Sequence, residues 1–227
     1  MKKETIIISL GGSIIIPDKL DIVFLQNFKK LILKHIRQSR RFFIVTGGGQ
    51  TARIYQKGAK KIDQVSADDL DWLGIHASRL NAHLLRTIFK KQAHPVVIKE
   101  PDVYKRIKED IIIGAGWQPG WSTDYVCAYL ARTYKIKNIV NLSNIAYVYD
   151  KDPNKFKQAQ KVKKISWPDY RKIVGNKWVP GANFPFDPVA AKLSQKLGLK
   201  VSILKGGDLK NFDDYLMGHK FKGTVIN

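Results

Sequence analysis

The fold is decided by Ile44-Val45-Thr46-Gly47-Gly48-Gly49-Gln50-Thr51-Ala52-Arg53. The apolar and β-branched run Phe43 to Thr46 reads as a short buried strand. Three glycines follow, and Thr51 to Ala59 winds as a helix. A strand, a triple glycine and a helix start leave unhindered backbone N–H groups at the positive end of a helix dipole. That arrangement suits an anion, phosphate above all. Glycine belongs there because a Cβ would hold a phosphate off the backbone and penalise positive φ. Arg53 falls about one helical turn beyond the last glycine, so its guanidinium can reach back over the same site. The same residues also read as a plain glycine turn, and the rest of the chain has to decide between the two.

Outward from this stretch, strands and helices alternate. Thr5 to Leu10 is a β-branched strand ending in Gly11-Gly12-Ser13, and Leu20 to Gln38 has apolar residues at helical spacing. Beyond the triple glycine, Asp69 to Lys90 reads as a long helix, and Val96 to Ile98 and Ile111 to Ile113 as strands. Gly114-Ala115-Gly116-Trp117-Gln118-Pro119-Gly120 follows, then a helix to Tyr134 capped by Ser122 or Thr123. Further elements are the strand Ile139 to Leu142, the helices Ser166 to Val174 and Pro188 to Leu197, and the strands Lys200 to Leu204 and Gly223 to Ile226. Such alternation predicts an α/β protein with a mainly parallel sheet between helices. Lys151 to Lys164, rich in Lys and Gln, is the candidate mobile excursion.

The chain has 227 residues, enough for one large α/β domain, and its 44% hydrophobic and 26% charged content fits a folded protein. One cysteine, Cys127, excludes an internal disulfide or a cysteine metal cluster, and its apolar neighbours predict a buried thiol. Forty Lys and Arg against nineteen Asp and Glu give a formal charge of +21, which suits nucleic acid or anionic substrates such as nucleotides, but equally a lysine-rich proteome or a high-salt cytoplasm, and this plainer reading carries the most weight. The lysines are scattered, with no basic tail and no aromatic interleaving, so nucleic acid is not the expected partner. The N-terminal apolar run is broken by Gly11-Gly12 and reads as a strand in place of a signal peptide. No stretch approaches the ~18–20 apolar residues of a membrane span. The expected location is cytoplasmic.

Ligands of open parallel sheets collect at the carboxyl ends of the strands. Three glycine-rich loops follow three strands here, which suggests several phosphates held close together. Neither the dinucleotide fingerprint Gly-x-Gly-x-x-Gly nor a Gly-Lys-Ser/Thr loop is present. The chemistry indicated is phosphoryl transfer without a P-loop.

Ser9-Leu10-Gly11-Gly12-Ser13, the triple-glycine stretch and Leu73-Gly74-Ile75-His76-Ala77-Ser78-Arg79-Leu80-Asn81-Ala82 resemble the archaeal-type UMP kinases of the amino-acid kinase superfamily. So do Gln118-Pro119-Gly120-Trp121-Ser122-Thr123-Asp124, Asn144 to Pro153 and Asp187-Pro188-Val189-Ala190-Ala191-Lys192. The motifs span about residues 5 to 226 in family order. The resemblance implies the amino-acid kinase fold, a three-layer α/β/α sandwich, as a single domain over 1–227. Its acceptor-binding half would be about 1–140 and its ATP-binding half about 141–227. It also implies transfer of the γ-phosphate of ATP to UMP, with Mg²⁺ held by the ATP phosphates, in a homohexamer.

Carried over by position, the resemblance places Gly12 and Ser13 at the transferred phosphate of ATP and Gly48 at the UMP phosphate. Gly49 and Arg53 would sit at the junction of donor and acceptor, with Arg53 and Gly12 as the catalytic pair. Asp71 would accept from the UMP ribose hydroxyls, which suits an acceptor-only carboxylate. Trp117, Gln118, Pro119, Gly120, Trp121, Ser122 and Thr123 would wrap UMP. Ser143, Asn144, Tyr149 and Asp152 would line the ATP nucleoside site; Asp187 and Lys192 are weaker candidates that also read as a helix-entry acid and a solvated lysine. The chain departs from the pattern at Ser9, where many relatives carry a lysine. It departs again at Ala146 and Tyr147, where a carboxylate and a glycine are usual; a tyrosine would be strained there if positive φ is needed. A catalytically weak UMP- or UTP-binding sensor is the alternative these departures favour.

Overall fold

The structure, a computed structural model, describes residues 3–151, 155–175 and 184–227. Five strands, β1 (Glu4–Leu10), β2 (Arg40–Thr46), β3 (Ile111–Gly114), β4 (Asn138–Ser143) and β8 (Lys200–Lys205), run parallel in one sheet. Two short strands extend it. β9 (Thr224–Ile226) is antiparallel to β8, and β7 (Lys164–Ile165) lies parallel to β9. The spatial order is β3-β2-β1-β4-β8-β9-β7. The chain builds outward from β1 through β2 to β3, then returns to β1's other side with β4. The topology therefore reverses around β1, the place where a crevice opens beyond the strand ends.

The central strands are buried on both faces, so they read as unbroken apolar runs. Ile7, Phe43, Ile139 and Val201 pack on one face; Ile6, Ile8, Phe42, Ile44 and Val140 pack on the other. The first face is covered by α5 (Thr123–Tyr134), α6 (Trp167–Val174) and α7 (Pro188–Leu197), and Cys127 is fully buried there. The second face is covered by α2 (Ile22–Arg37), α4 (Ala67–Ile88) and α8 (Leu209–Leu216). A four-residue α1 (Gly12–Ile15) and a longer α3 (Gly49–Ile62) start directly on the first two glycine loops.

Helix starts divide into two groups. Asp21, Ser66, Ser122, Ser166, Asp187 and Asp208 each cap a helix with a side-chain oxygen accepting a backbone N–H. Gly11 and Gly48, ahead of α1 and α3, supply no such cap. Those are the two helices that leave β1 and β2 at the crevice, and their positive ends stay open to a ligand.

Several expectations are corrected. Val96 to Ile98 is not a strand: the edge of β3 is met only by single bridges at Ala93 and Ile98, and Pro95 between them has no N–H for a ladder. The stretch expected as a mobile excursion is partly built in. β5 (Val148–Tyr149) pairs with β6 (Lys161–Val162), and Lys164 pairs with Val225; residues 152–154, including Asp152, lie outside the described residues. Tyr147 carries no strain, since the only non-glycine residues at positive φ among those described are Ser39 and Lys135. Its ring instead lies under the Lys161 ammonium, 5.4 Å from the centroid. Helix α8 escaped the periodicity reading because Asn211, Asp213 and Asp214 interrupt an eight-residue segment.

Candidate active site

The first two glycine loops interlock at the carboxyl ends of β1 and β2. Gly11 N–H donates to the Leu142 carbonyl (2.9 Å), Gly47 N–H to Leu10 (3.0 Å) and Gln50 N–H to Ile16 (3.2 Å). A Cβ on Gly12 would overlap the Gly49 nitrogen and come within 2.6 Å of the Gly47 carbonyl, and one on Gly49 would strike the Gly12 carbonyl. Gly49 also holds φ +63°, a conformation that penalises any L side chain. With the loops pressed backbone to backbone, the N–H groups of Ser13, Gly48 and Gly49 make no hydrogen bond among the described residues. Three unused donors at two open helix ends form an anion cradle.

Helix α4 holds this cradle from behind. Asn81 donates to the Gly47 and Gly48 carbonyls (2.8 and 3.2 Å), and Thr46 Oγ1 donates to the Ser78 carbonyl (2.9 Å). Ser78 Oγ accepts from Gly116 N–H (2.8 Å), while Arg79 donates to the Gly116 and Trp117 carbonyls (3.2 and 2.9 Å). The Ser-Arg-x-Asn segment therefore ties the loop after β2 to the loop after β3. Sequence reading quoted this segment but gave it no task; side chains bonding to backbone leave no pattern of their own.

A cavity of about 140 Å³ opens between these loops, lined by Gly47, Gly48, Gln56, Asp71, Gly74, Ile75, Ser78, Gly116, Trp121 and Thr123. Of the residues expected to wrap the acceptor, only Trp121 and Thr123 line it. Ser122 caps α5, and Gly120 turns at φ +81° with its N–H donated to Asp71 Oδ2 (2.8 Å). Gln118 is exposed, and Trp117 packs against the core. Asp71 thus fastens the turn with one oxygen, and Oδ1 makes no protein hydrogen bond among the described residues. Gln56 and Gly74, which line the cavity, were missed: on sequence they are an ordinary polar and an ordinary small helix residue.

An aromatic ladder braces the cavity wall. Trp117 and Trp121 are stacked at 6.3 Å, Trp121 and Tyr125 at 4.1 Å, and Tyr125 and Tyr129 meet at 5.3 Å; the Arg132 guanidinium lies 3.9 Å over Tyr129. The (i, i+4) spacing of Tyr125 and Tyr129 puts their rings on one face of α5, and Trp121, just ahead of the Ser122 cap, stacks on the first of them. The indole of Trp121 is held in place by its neighbours.

Arg53 is exposed on the first turn of α3, its Nε donating to Gln50 Oε1 (2.9 Å). Its terminal nitrogens make no hydrogen bond among the described residues, so a bidentate fork is available to a phosphate. On the other side of β1, Ser143 accepts Gly206 N–H at its carbonyl (2.7 Å), and Asn144 is exposed. Tyr149 is half-buried in β5.

Ser9 donates to Asp124 Oδ1 (2.8 Å). Asn141 also reaches Oδ1 (3.3 Å), and Asp187 N–H donates to Oδ2 (3.1 Å). Asp187 caps α7 through Ala190 N–H (2.7 Å), and its buried Oδ2 makes no hydrogen bond among the described residues. No described cation pairs with either carboxyl. Desolvation, reinforced by the neighbouring Asp187 charge, outweighs the donated hydrogen bonds and pushes Asp124 up to about 7. Burial raises Asp187 as well. The folded chain then holds a proton that the unfolded chain has already released above its ordinary carboxylate pKa, so this cluster's contribution to stability falls as pH rises toward 7. Asp124→Asn is expected to flatten that decline. Chemical denaturation from about pH 5 to 8 should show the wild-type advantage over the variant shrinking by at most about 1.4 kcal/mol per pH unit; a constant difference would contradict it.

A parallel α/β sheet with two interlocked, uncapped glycine loops at its switch point defines a phosphate-handling enzyme class. The chain belongs to the amino acid kinase family, whose profile matches residues 4–205. The uridylate kinase of Pyrococcus abyssi is 34% identical over 224 residues, 97% of this chain and 98% of that protein. The uridylate kinase of Thermoplasma volcanium is 32% identical over 229 residues, with similar coverage. The crystal structure of uridylate kinase from Archaeoglobus fulgidus superposes with a TM-score of 0.80 at 29% identity, covering both chains completely. A UMP kinase from Bacillus anthracis, 20% identical with a TM-score of 0.78, shares the fold.

Proposed function

We infer that this protein transfers the γ-phosphoryl group of ATP to UMP, giving UDP. The observation that carries this reading is the cavity closed by Gly48, Asp71, Trp121 and Thr123 beside the interlocked Gly12 and Gly49. It offers N–H donors for phosphate at one end and a carboxylate oxygen for hydroxyls at the other. The nearly full-length similarity to uridylate kinases supports the choice of acceptor. The UMP phosphate is already an anionic nucleophile, so the protein's task is alignment and charge neutralisation. Gly48 N–H would hold the acceptor phosphate, Gly12, Ser13 and Gly49 the transferred group, and Arg53 would span the two. Ser143, Asn144 and Tyr149 would flank the donor nucleoside, the C-terminal half of one domain serving ATP and the N-terminal half UMP.

Among the described residues no three His, Cys, Asp or Glu converge as a metal cage. A Mg²⁺ carried by triphosphate oxygens and water would neutralise charge on the phosphates. Ile54, Tyr55 and Ile62 on α3 and Leu80 on α4 are exposed apolar residues that would serve the homohexamer the family resemblance implies. Among the described residues no helix is long and apolar enough to cross a membrane, and a cytoplasmic location accords with ATP and UMP as substrates.

The test is ADP release with ATP and Mg²⁺ across UMP, CMP, dUMP, AMP and GMP. Turnover greatest with UMP is expected; no turnover with measurable UMP binding would replace the kinase with a sensor. Asp71→Ala, which removes both the loop tie and the free acceptor, should raise KM for UMP about 10- to 100-fold, the worth of a hydrogen bond to a charged group. An unchanged KM would place the ribose elsewhere.

A further inference from the structure

We propose that the edge of the sheet opposite the candidate active site is a track for single-stranded nucleic acid. In a parallel sheet the strand starts gather along one edge, and here the segments leading into them are basic. Arg37 leads into β2 and Arg40 and Arg41 open it, Lys105 and Lys108 lead into β3, Lys135 and Lys137 into β4, and Lys196 leads into β8, which Lys200 opens. Lysines scattered along the sequence are thereby collected by topology.

Part of this charge is structural. Arg40 pairs with Glu4 and reaches His35, Lys3 pairs with Asp110, and Arg41 is spent on the Ile107 and Glu109 carbonyls. Arg37 complements its own helix dipole, and Lys135 lies just past the end of α5. Lys105, Lys108 and Lys200 belong to neither group: they are exposed, not in helices, and without an ion pair among the described residues.

The edge is also sculpted. The alternation of β1 and β2 sends Glu4, Ile6 and Arg40 to one side and Lys3, Thr5 and Arg41 to the other, where they line two concavities of about 360 and 310 Å³. Each concavity holds an aromatic pair. Tyr104 and Tyr134 are 5.3 Å apart in the smaller, and Tyr215 and Phe221 are 4.9 Å apart in the larger. Tyr104 is 65% exposed, which leaves ring surface for a base to stack on. Tyr215 and Phe221 pack edge-on against the core, so Tyr104 is the stacking face, and the cations that flank both concavities extend the site beyond it, which suits a chain of nucleotides more than a single one. An exposed ring beside cations favours unpaired bases over a duplex, whose base faces are already covered. This track is independent of the kinase reading.

The test is fluorescence anisotropy of a labelled 20-nucleotide oligouridylate from about 50 to 300 mM KCl, where affinity should fall steeply with salt. Lys108→Glu with Lys200→Glu should weaken binding at least tenfold and make the salt slope shallower. Tyr104→Ala should weaken it about 5- to 30-fold with the slope unchanged, the signature of a lost stack. All variants should keep wild-type thermal stability and UMP-dependent ADP release. Lys30→Glu with Lys210→Glu, the same charge change elsewhere, should have less than a threefold effect. The proposal is overturned by an equal effect of that control pair, by duplex binding as tight as single strand, by UTP displacing the oligomer mole for mole, or by no binding at all.

Discussion

Alanine at Gly12 is expected to abolish turnover and to destabilise the fold, although it adds a single methyl group. That methyl would occupy the Gly49 nitrogen and crowd the Gly47 carbonyl, and neither can retreat. Gly47 is bonded through its N–H to Leu10 and through its carbonyl to Asn81, and Gly49 opens α3. The loops would have to part. Overpacking of this kind costs about 1–3 kcal/mol in a well-packed core, and backbone against backbone belongs at the upper end. Loss of register between two phosphate cradles should lower kcat/KM by about 10³-fold or more, since misplacement of about 1 Å already costs around 10². Gly58→Ala is the counterpart within the same protein. Gly58 lies inside α3 with nothing within 4 Å of an added Cβ, so alanine should raise stability by about 0.5–1 kcal/mol and leave activity intact. Thermal denaturation and steady-state kinetics of the two variants read this directly. A Gly12→Ala enzyme as active as Gly58→Ala would show that the loops do not act as one unit.

Arg53→Ala should separate chemistry from folding. The side chain is exposed and its one hydrogen bond is to Gln50 on the same helix turn, so its loss should change stability by less than about 0.5 kcal/mol. In the proposed reaction its unused guanidinium fork, about one turn beyond Gly49 at the start of α3, would neutralise charge that accumulates during transfer. Removing one such donor should lower kcat about 10²- to 10³-fold with a much smaller change in KM for UMP. Arg53→Lys should recover only part of the rate, because an ammonium supplies charge without the planar fork. A change confined to KM would make Arg53 an acceptor-binding residue with no share in the transition state.

The fold was legible because it rests on local signals. Buried parallel strands are continuous apolar runs, and Ser122, Ser166 and Asp187 announce their helices. The short additions were not legible: β5, β6 and β7 are two residues each, so periodicity has nothing to act on there, and the partner of β7 lies at the far end of the chain. At the site, glycines mark themselves because few other roles explain them. The supports do not. Ser78, Arg79 and Asn81 act through backbone atoms of loops more than thirty residues away, and Ser9 and Asp124, 115 residues apart, meet only once β1 lies against β4 and α5. Basic segments look evenly spread in one dimension, and their common edge exists only after the sheet is assembled.

The aromatic ladder gives the protein a built-in optical reporter. Of five tryptophans, Trp121 lines the acceptor cavity, Trp117 stacks on it, and Trp72 lies one residue from Asp71, under the Arg79 guanidinium at 5.7 Å. One indole therefore lines the acceptor cavity and a second is stacked on it. A base sliding against Trp121 should quench it, while ligands bound across the sheet, near Tyr104, should leave the spectrum unmoved. Occupancy of the two ends of the molecule can be followed separately, in one cuvette, without a label.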